Sequence, residues 1–79
     1  MTVVIDGTRY DLPTTTVARG TTVTWENRDP FPHTVTAAGA FDTGSIPAGG
    51  HWRYVATKPG KYEYVCTFHP NMHGVLIVE

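Results

Sequence analysis

The sequence predicts an all-β fold, a small antiparallel sandwich or barrel. Three observations carry that expectation. Gly and Pro punctuate the whole chain, from Gly7 and Pro13 through Gly49-Gly50 and Pro59-Gly60 to Pro70 and Gly74. The gaps between these breakers are mostly too short for a three-turn helix and suit strands of about five residues. Several of the gap segments also alternate with period two, as half-buried strands do.

Taken in order, Thr2 to Ile5 and Thr14 to Ala18 read as opening strands. Thr21 to Trp25 alternates, with Val23 and Trp25 on one face and Thr22 and Thr24 on the other. Trp25 is assigned to the core. Thr34 to Ala38 is a short β-prone segment. Trp52 and Tyr54 share a face opposite His51, Arg53 and Val55, which places His51 in solvent. Pro59-Gly60 turns the chain into Lys61 to Cys66, with Tyr62, Tyr64 and Cys66 on one face. A tyrosine just after a corner and shortly before a Cys can hydrogen-bond back to the turn, and Tyr62 is assigned that role. Val75 to Val78 is an unbroken apolar run, the pattern of a strand covered on both faces.

Length and charge bound the function. With 79 residues the chain makes one domain, residues 1–79. A domain this small buries only about 60% of the surface its unfolded chain exposes, so a staple would help it. Cys66 is the only cysteine, which removes disulfides from that role. The formal charge of −1 gives no basic footprint for nucleic acid. No stretch is long and apolar enough to span a bilayer. The opening residues, Met1 to Asp6, do not read as a signal peptide. A cytoplasmic location, a removed signal and a place within a larger protein all stay open.

The chemistry concentrates in Cys66-Thr67-Phe68-His69-Pro70-Asn71-Met72-His73-Gly74. A thiolate, an imidazole and a thioether follow one another at spacings of three, on a turn between two expected strands. These donors suit copper. His33 is the best candidate for a further strong ligand, because it starts another expected strand behind Pro30 and Pro32, which stiffen the backbone. Two imidazoles, one thiolate and a weak thioether make the trigonal arrangement of a blue-copper electron-transfer site. His73, beside Met72, is either a tuning group near that site or an exposed turn histidine.

From Val17 to Glu79 the chain resembles a cupredoxin, in the pattern of the amicyanin and pseudoazurin branch. The residues that carry the resemblance are Gly20-Thr21-Thr22-Val23-Thr24-Trp25, Asn27, Pro32-His33, Pro59 to Cys66, and the turn from Cys66 to Met72. It implies a Greek-key β-sandwich, one type 1 copper held by His33, Cys66, His69 and Met72, and a periplasmic monomer. It also implies electron exchange with a protein partner, for example a c-type cytochrome or a dehydrogenase. Two departures stand beside the site. Thr34 follows His33 where the family commonly has the Asn that ties the two ligand loops together. Its backbone N–H can reach the thiolate, and its hydroxyl can partly replace the amide. Phe68 stands where the amicyanin branch usually has Pro, so a second N–H bond to Cys66 is expected there. In the family the second histidine, here His69, lies at an apolar patch. Phe31, Pro32, Pro70 and Asn71 are the candidates for that patch, with Phe68 beside them.

Other classes fit less well. Multicopper enzymes of this fold pass electrons through a His adjacent to the ligand Cys, whereas Cys66 is flanked by Val65 and Thr67. A binuclear copper centre needs a second Cys. A Cys/His hydrolase needs an exposed thiol, a base and oxyanion donors. Met is a poor zinc ligand. A metal-free interaction module leaves the Cys-His-Met turn a coincidence. The serious alternative to an electron carrier is a copper-delivery protein using the same ligands.

Overall fold

A computed structural model describes all residues, Met1 to Glu79. Eight strands run β1 (Thr2–Ile5), β2 (Thr14–Val17), β3 (Thr21–Asn27), β4 (Thr36–Ala37), β5 (Phe41–Asp42), β6 (His51–Ala56), β7 (Gly60–Cys66) and β8 (His69–Val78). They form two sheets, β1-β3-β6 and β2-β8-β7-β4-β5. The chain changes sheet at most of its connections, so both sheets are assembled from sequence-distant strands, in keeping with a Greek-key sandwich. The expected all-β sandwich is what the chain forms.

Three local features differ from the expectation. The pairing is mixed, because β1 lies parallel to β3 and β2 parallel to β8. A two-residue strand, Phe41–Asp42, pairs with β4. It is too short for any periodicity to reveal. The last strand starts at His69 rather than Val75. Cys66 pairs with His69 and Val65 with His73, so Pro70, Asn71 and Met72 have no partner on β7. The hairpin turn is therefore only Thr67 and Phe68, and a wide bulge follows it. Bulges bend their strand and re-aim side chains. Along Val75 to Val78 only Leu76 and Val78 are buried, while Val75 and Ile77 on the outer face are half-buried.

The core lies between the sheets, around Trp25, Tyr64, Ile5, Val23 and Leu76. Trp25 is fully buried and meets Tyr64 edge-on at 5.6 Å between ring centroids. Tyr10 packs edge-on against Tyr64 from the other side at 4.8 Å. Tyr62 behaves as expected: its hydroxyl donates to the Lys58 carbonyl at 2.6 Å and clamps the Pro59-Gly60 corner. His51 is exposed.

Gly74 pairs directly with Tyr64 across β7 and β8. The tyrosine ring lies on the glycine, where an added Cβ would stand 2.7 Å from both Cζ and the hydroxyl. In an unconstrained strand Gly→Ala gains about 0.5–1 kcal/mol. Here the clash outweighs that gain, since overpacking a close-packed core costs about 1–3 kcal/mol. Gly74→Ala is therefore expected to lower Tm in calorimetry by several degrees. An equal or higher Tm would contradict the close contact.

Candidate metal centre

The site forms at one end of the sandwich, where the segment before β4 meets the β7–β8 hairpin. His33 and Cys66 are both fully buried. His33 Nδ1 lies 3.6 Å from Cys66 Sγ. Met72, at the inner end of the bulge, is 3% exposed and stands close to both. His69 is half-buried, and its ring centroid lies 5.2 Å from that of His33.

His33 is held on every side but one. Its backbone exchanges two hydrogen bonds with Ile46, N–H to carbonyl at 3.1 Å and carbonyl from N–H at 2.7 Å. Its Nε2 lies 2.7 Å from Asp29 Oδ2, both groups being buried. A carboxylate only accepts, so Nε2 carries a proton. In the neutral imidazole the lone pair is then on Nδ1, facing the sulfur. A carboxylate behind a ligand histidine fixes its tautomer and orientation and raises its basicity.

Asp29 is fixed in turn. Gly7 N–H donates to Oδ1 at 2.8 Å and Thr8 N–H to Oδ2 at 2.9 Å. Both donors lie in the left-handed region, Gly7 at φ 63° and Thr8 at φ 59°. For Thr8 that conformation is strained, and it aims two successive N–H groups at one carboxylate. Burial pushes the Asp29 carboxyl up. The Thr8 N–H, the His33 ring and the Gly7 N–H together outweigh it, and the group sits below its ordinary range.

Asn27 completes the frame. It is fully buried, and its Nδ2 donates to the carbonyls of Phe31 and Ile46 at 3.0 Å each. Its Oδ1 accepts Asp29 N–H at 2.9 Å. One amide therefore holds the loop before His33 and the segment that pairs with it.

Thr34 joins the two ligand loops. Its N–H donates to Cys66 Sγ at 3.3 Å. Its hydroxyl accepts Thr67 N–H at 2.9 Å. Tyr10 OH donates to its carbonyl at 2.7 Å. The hydroxyl thus bridges from the segment after His33 to the turn after Cys66. Phe68 differs from expectation: its N–H makes no hydrogen bond to the sulfur, and its side chain is 51% exposed. The chain turns at Thr67 and Phe68, so the Phe68 amide is carried past Cys66 while Thr34 supplies the N–H. The Phe68 ring instead borders a shallow surface cavity with His69, Pro70, Asn71 and Met72. Phe31, 41% exposed, contacts both site imidazoles, at 5.3 Å from His33 and 5.9 Å from His69 between centroids. Pro32, Pro70 and Asn71 are exposed around them. His73 points away from the core into solvent.

Sequence reasoning missed Asp29, Tyr10 and the Gly7-Thr8 turn. For Asp29 a signal was available, an acidic residue four positions before a candidate ligand histidine in a Pro-stiffened loop. Tyr10 carried none, because its target is the backbone of a residue 24 positions away.

Soft and borderline donors, buried together with one lone pair aimed at the thiol, fit a type 1 copper. The family model of the cupredoxin-like domain matches residues 1–78. The chain belongs to the cupredoxin family, and membership implies one type 1 copper. Among curated relatives, amicyanin of Paracoccus denitrificans is 36% identical over 77 residues, covering 90% of this chain and 59% of the relative. Amicyanin of Paracoccus versutus is 34% identical over 85 residues, covering 95% and 61%. The chain thus spans about three-fifths of the length of these relatives. Among solved structures, the Cu(I) form of a Met-to-Ala amicyanin variant superposes with a TM-score of 0.95 at 30% identity. The oxidised state of a Pro-to-Ala amicyanin variant does so with 0.95 at 32%. Both superpositions cover 100% of this chain and 81% of the other.

The Asp29 frame gives stability a pH dependence. A carboxyl held low in the folded state binds fewer protons there than in the unfolded chain around its titration range. Its contribution is complete above the unfolded carboxylate value of about 3.9 and is lost as pH falls through the lower folded value. Urea unfolding of the metal-free protein is expected to show this acid loss. Asp29→Asn is expected to be less stable at neutral pH and to lose less on acidification. Parallel curves for the two proteins would remove Asp29 from the account.

Proposed function

We propose that the chain is a one-electron carrier holding a single copper through His33, Cys66, His69 and Met72. The observation that carries the reading is the buried 3.6 Å approach of His33 Nδ1 to Cys66 Sγ, with every other polar atom of His33 already bonded. Copper, when bound, supplies the one-electron couple between Cu(I) and Cu(II). The residues around it set how that couple is used. The Asp29 carboxylate keeps His33 oriented, so this donor does not have to rearrange between oxidation states. The Thr34 N–H withdraws electron density from the sulfur and favours the reduced state. The buried Met72 keeps water from that side and offers a weak thioether.

The clamped His33 favours a carrier over a delivery protein, since releasing a metal calls for ligands that can open. The buried Cys66 argues against thiol catalysis, which needs an accessible nucleophile. His69 is the natural electron port, because it is the half-buried donor and lies among exposed Phe31, Pro32, Phe68, Pro70 and Asn71. A small, weakly charged surface suits a transient partner that must leave quickly. The reading carries with it a periplasmic monomer that exchanges electrons with a protein such as a c-type cytochrome or a dehydrogenase. No helix is long and apolar enough to cross a membrane.

Titrating the metal-free protein with Cu(II) is expected to develop an intense blue band at one equivalent, bleached by reductant and absent in Cys66→Ser. Colourless uptake or no uptake would overturn the proposal. Pro70→Glu is expected to slow bimolecular electron transfer on the order of tenfold at an unchanged spectrum, since a charge placed in an apolar contact hinders encounter. An unchanged rate would move the port elsewhere.

A further inference from the structure

The two imidazoles at the centre are held by different means. The hydrogen bonds made by histidine rings in this structure all belong to His33, which Asp29 clamps from behind. The His69 ring makes none. A ligand histidine ordinarily gives its second ring N–H to a carboxylate, a carbonyl or water, and that bond sets its orientation. His69 is half-buried, so solvent reaches it but supplies no fixed partner. On one side it borders the shallow cavity of Phe68, Pro70 and Asn71, which leaves that flank open. On the other side stands Phe31. The Phe31 ring lies 5.9 Å from His69 at 58° and 5.3 Å from His33 at 71°, and the two imidazoles are 5.2 Å apart. Such tilted and edge-on contacts are the ones aromatic rings prefer.

Phe31 is itself fixed, although 41% of it is exposed. Its carbonyl accepts Asn27 Nδ2–H at 3.0 Å, from the same buried amide that holds the Ile46 carbonyl opposite His33. Pro30 precedes it with a locked φ, and Pro32 follows it and disfavours helical backbone at Phe31. The ring therefore has little freedom beyond its own torsions. We propose that Phe31 is a positioning residue for His69, supplying by ring packing the orientation that Asp29 supplies to His33 by hydrogen bonding. An apolar brace suits the donor at the rim. A carboxylate in that place would put a charge on the exposed surface, whereas a phenyl ring holds the imidazole and keeps the surface uncharged. This role is separate from contact with a partner, because it acts in the isolated protein. Its consequence for copper rests on the electron-carrier reading, whereas the restraint on the ring does not.

The test compares the native protein with Phe31→Ala and Phe31→Tyr. Ring-carbon NMR relaxation of His69 is read in the metal-free protein, with buried His33 as the rigid reference and exposed His51 as the mobile one. In the native protein the His69 ring is expected to be ordered nearly as well as that of His33. Phe31→Ala is expected to move it towards His51 while His33 stays as it was, and Phe31→Tyr, which keeps the ring, is expected to retain the native order. In the Cu(I)-loaded protein, Phe31→Ala is expected to hasten copper transfer to an excess of a Cu(I) chelator by about two- to tenfold, the range one aromatic pair is worth. A His69 ring that is equally ordered in Phe31→Ala and in the native protein overturns the proposal. So does a native His69 already as mobile as His51, an equal loosening of His33 and His69, or a Phe31→Tyr protein that behaves like Phe31→Ala. If the native chain takes up no copper, the carrier reading fails, yet ring order in the metal-free protein still decides the role of Phe31.

Discussion

The structure depends on a buried imidazole and a buried sulfur, 33 residues apart in sequence, being held 3.6 Å from one another. Burying polar groups costs free energy unless their hydrogen bonds are made. Around His33 nearly all of them are made. Both Asn27 amide protons and its oxygen are used, both oxygens of Asp29 accept, and Thr34 is bonded at its N–H, carbonyl and hydroxyl. The bonding capacity left over is the Nδ1 lone pair and the thiol facing it. The frame thus defines the site by exhausting every alternative partner, and the same frame keeps a 79-residue domain ordered where its core is thin.

The core reaches the sulfur through a single residue, Thr34. Tyr10 packs edge-on against Tyr64 and donates its hydroxyl to the Thr34 carbonyl. Burial pushes the Tyr10 phenol far above its ordinary range, with the nearby Cys66 and Tyr64 adding to the shift. The group therefore stays a donor under any ordinary condition. The bond fixes the orientation of Thr34, whose N–H lies in the preceding peptide plane and faces the sulfur. Packing in the sandwich interior and donation to the sulfur are in this way properties of one residue, Thr34.

How far the sequence disclosed this follows from the range of each signal. Strand periodicity is local, so β3, β6 and β7 were legible from alternation around Trp25, Trp52 and Tyr64. Tyr62 was legible because a tyrosine corner spans four residues. The two residues of β5 were not, since Thr36 and Asp42 are matched by register and no alternation fits in so short a strand. The start of β8 was read as a turn because Pro70 and the polar Asn71 resemble one. Only three-dimensional pairing reveals that Pro70, Asn71 and Met72 are a bulge within a strand. The Cys-His-Met spacing was visible for the opposite reason: it is chemistry written in neighbouring residues. Asp29 lay within four residues of His33 and went unread because its role also needs the distant N–H groups of Gly7 and Thr8.

The bulge also accounts for the asymmetry of the site. Had β8 continued in register from His69, successive side chains would have alternated between core and solvent, and Met72 would have faced away from His69 in strict order. Three unpaired residues let the strand bend, so Met72 ends 3% exposed while Pro70 and Asn71 stay at the surface and His69 remains half-buried between them. The buried group of His33, Cys66 and Met72 has one side left that approaches solvent, the side of His69. That side carries an imidazole among apolar neighbours rather than charges. Electron exchange falls off steeply with separation, so on the proposed carrier reading the direction of least cover is the route for the electron, and the same three-residue insertion that buries the thioether leaves the histidine at the rim.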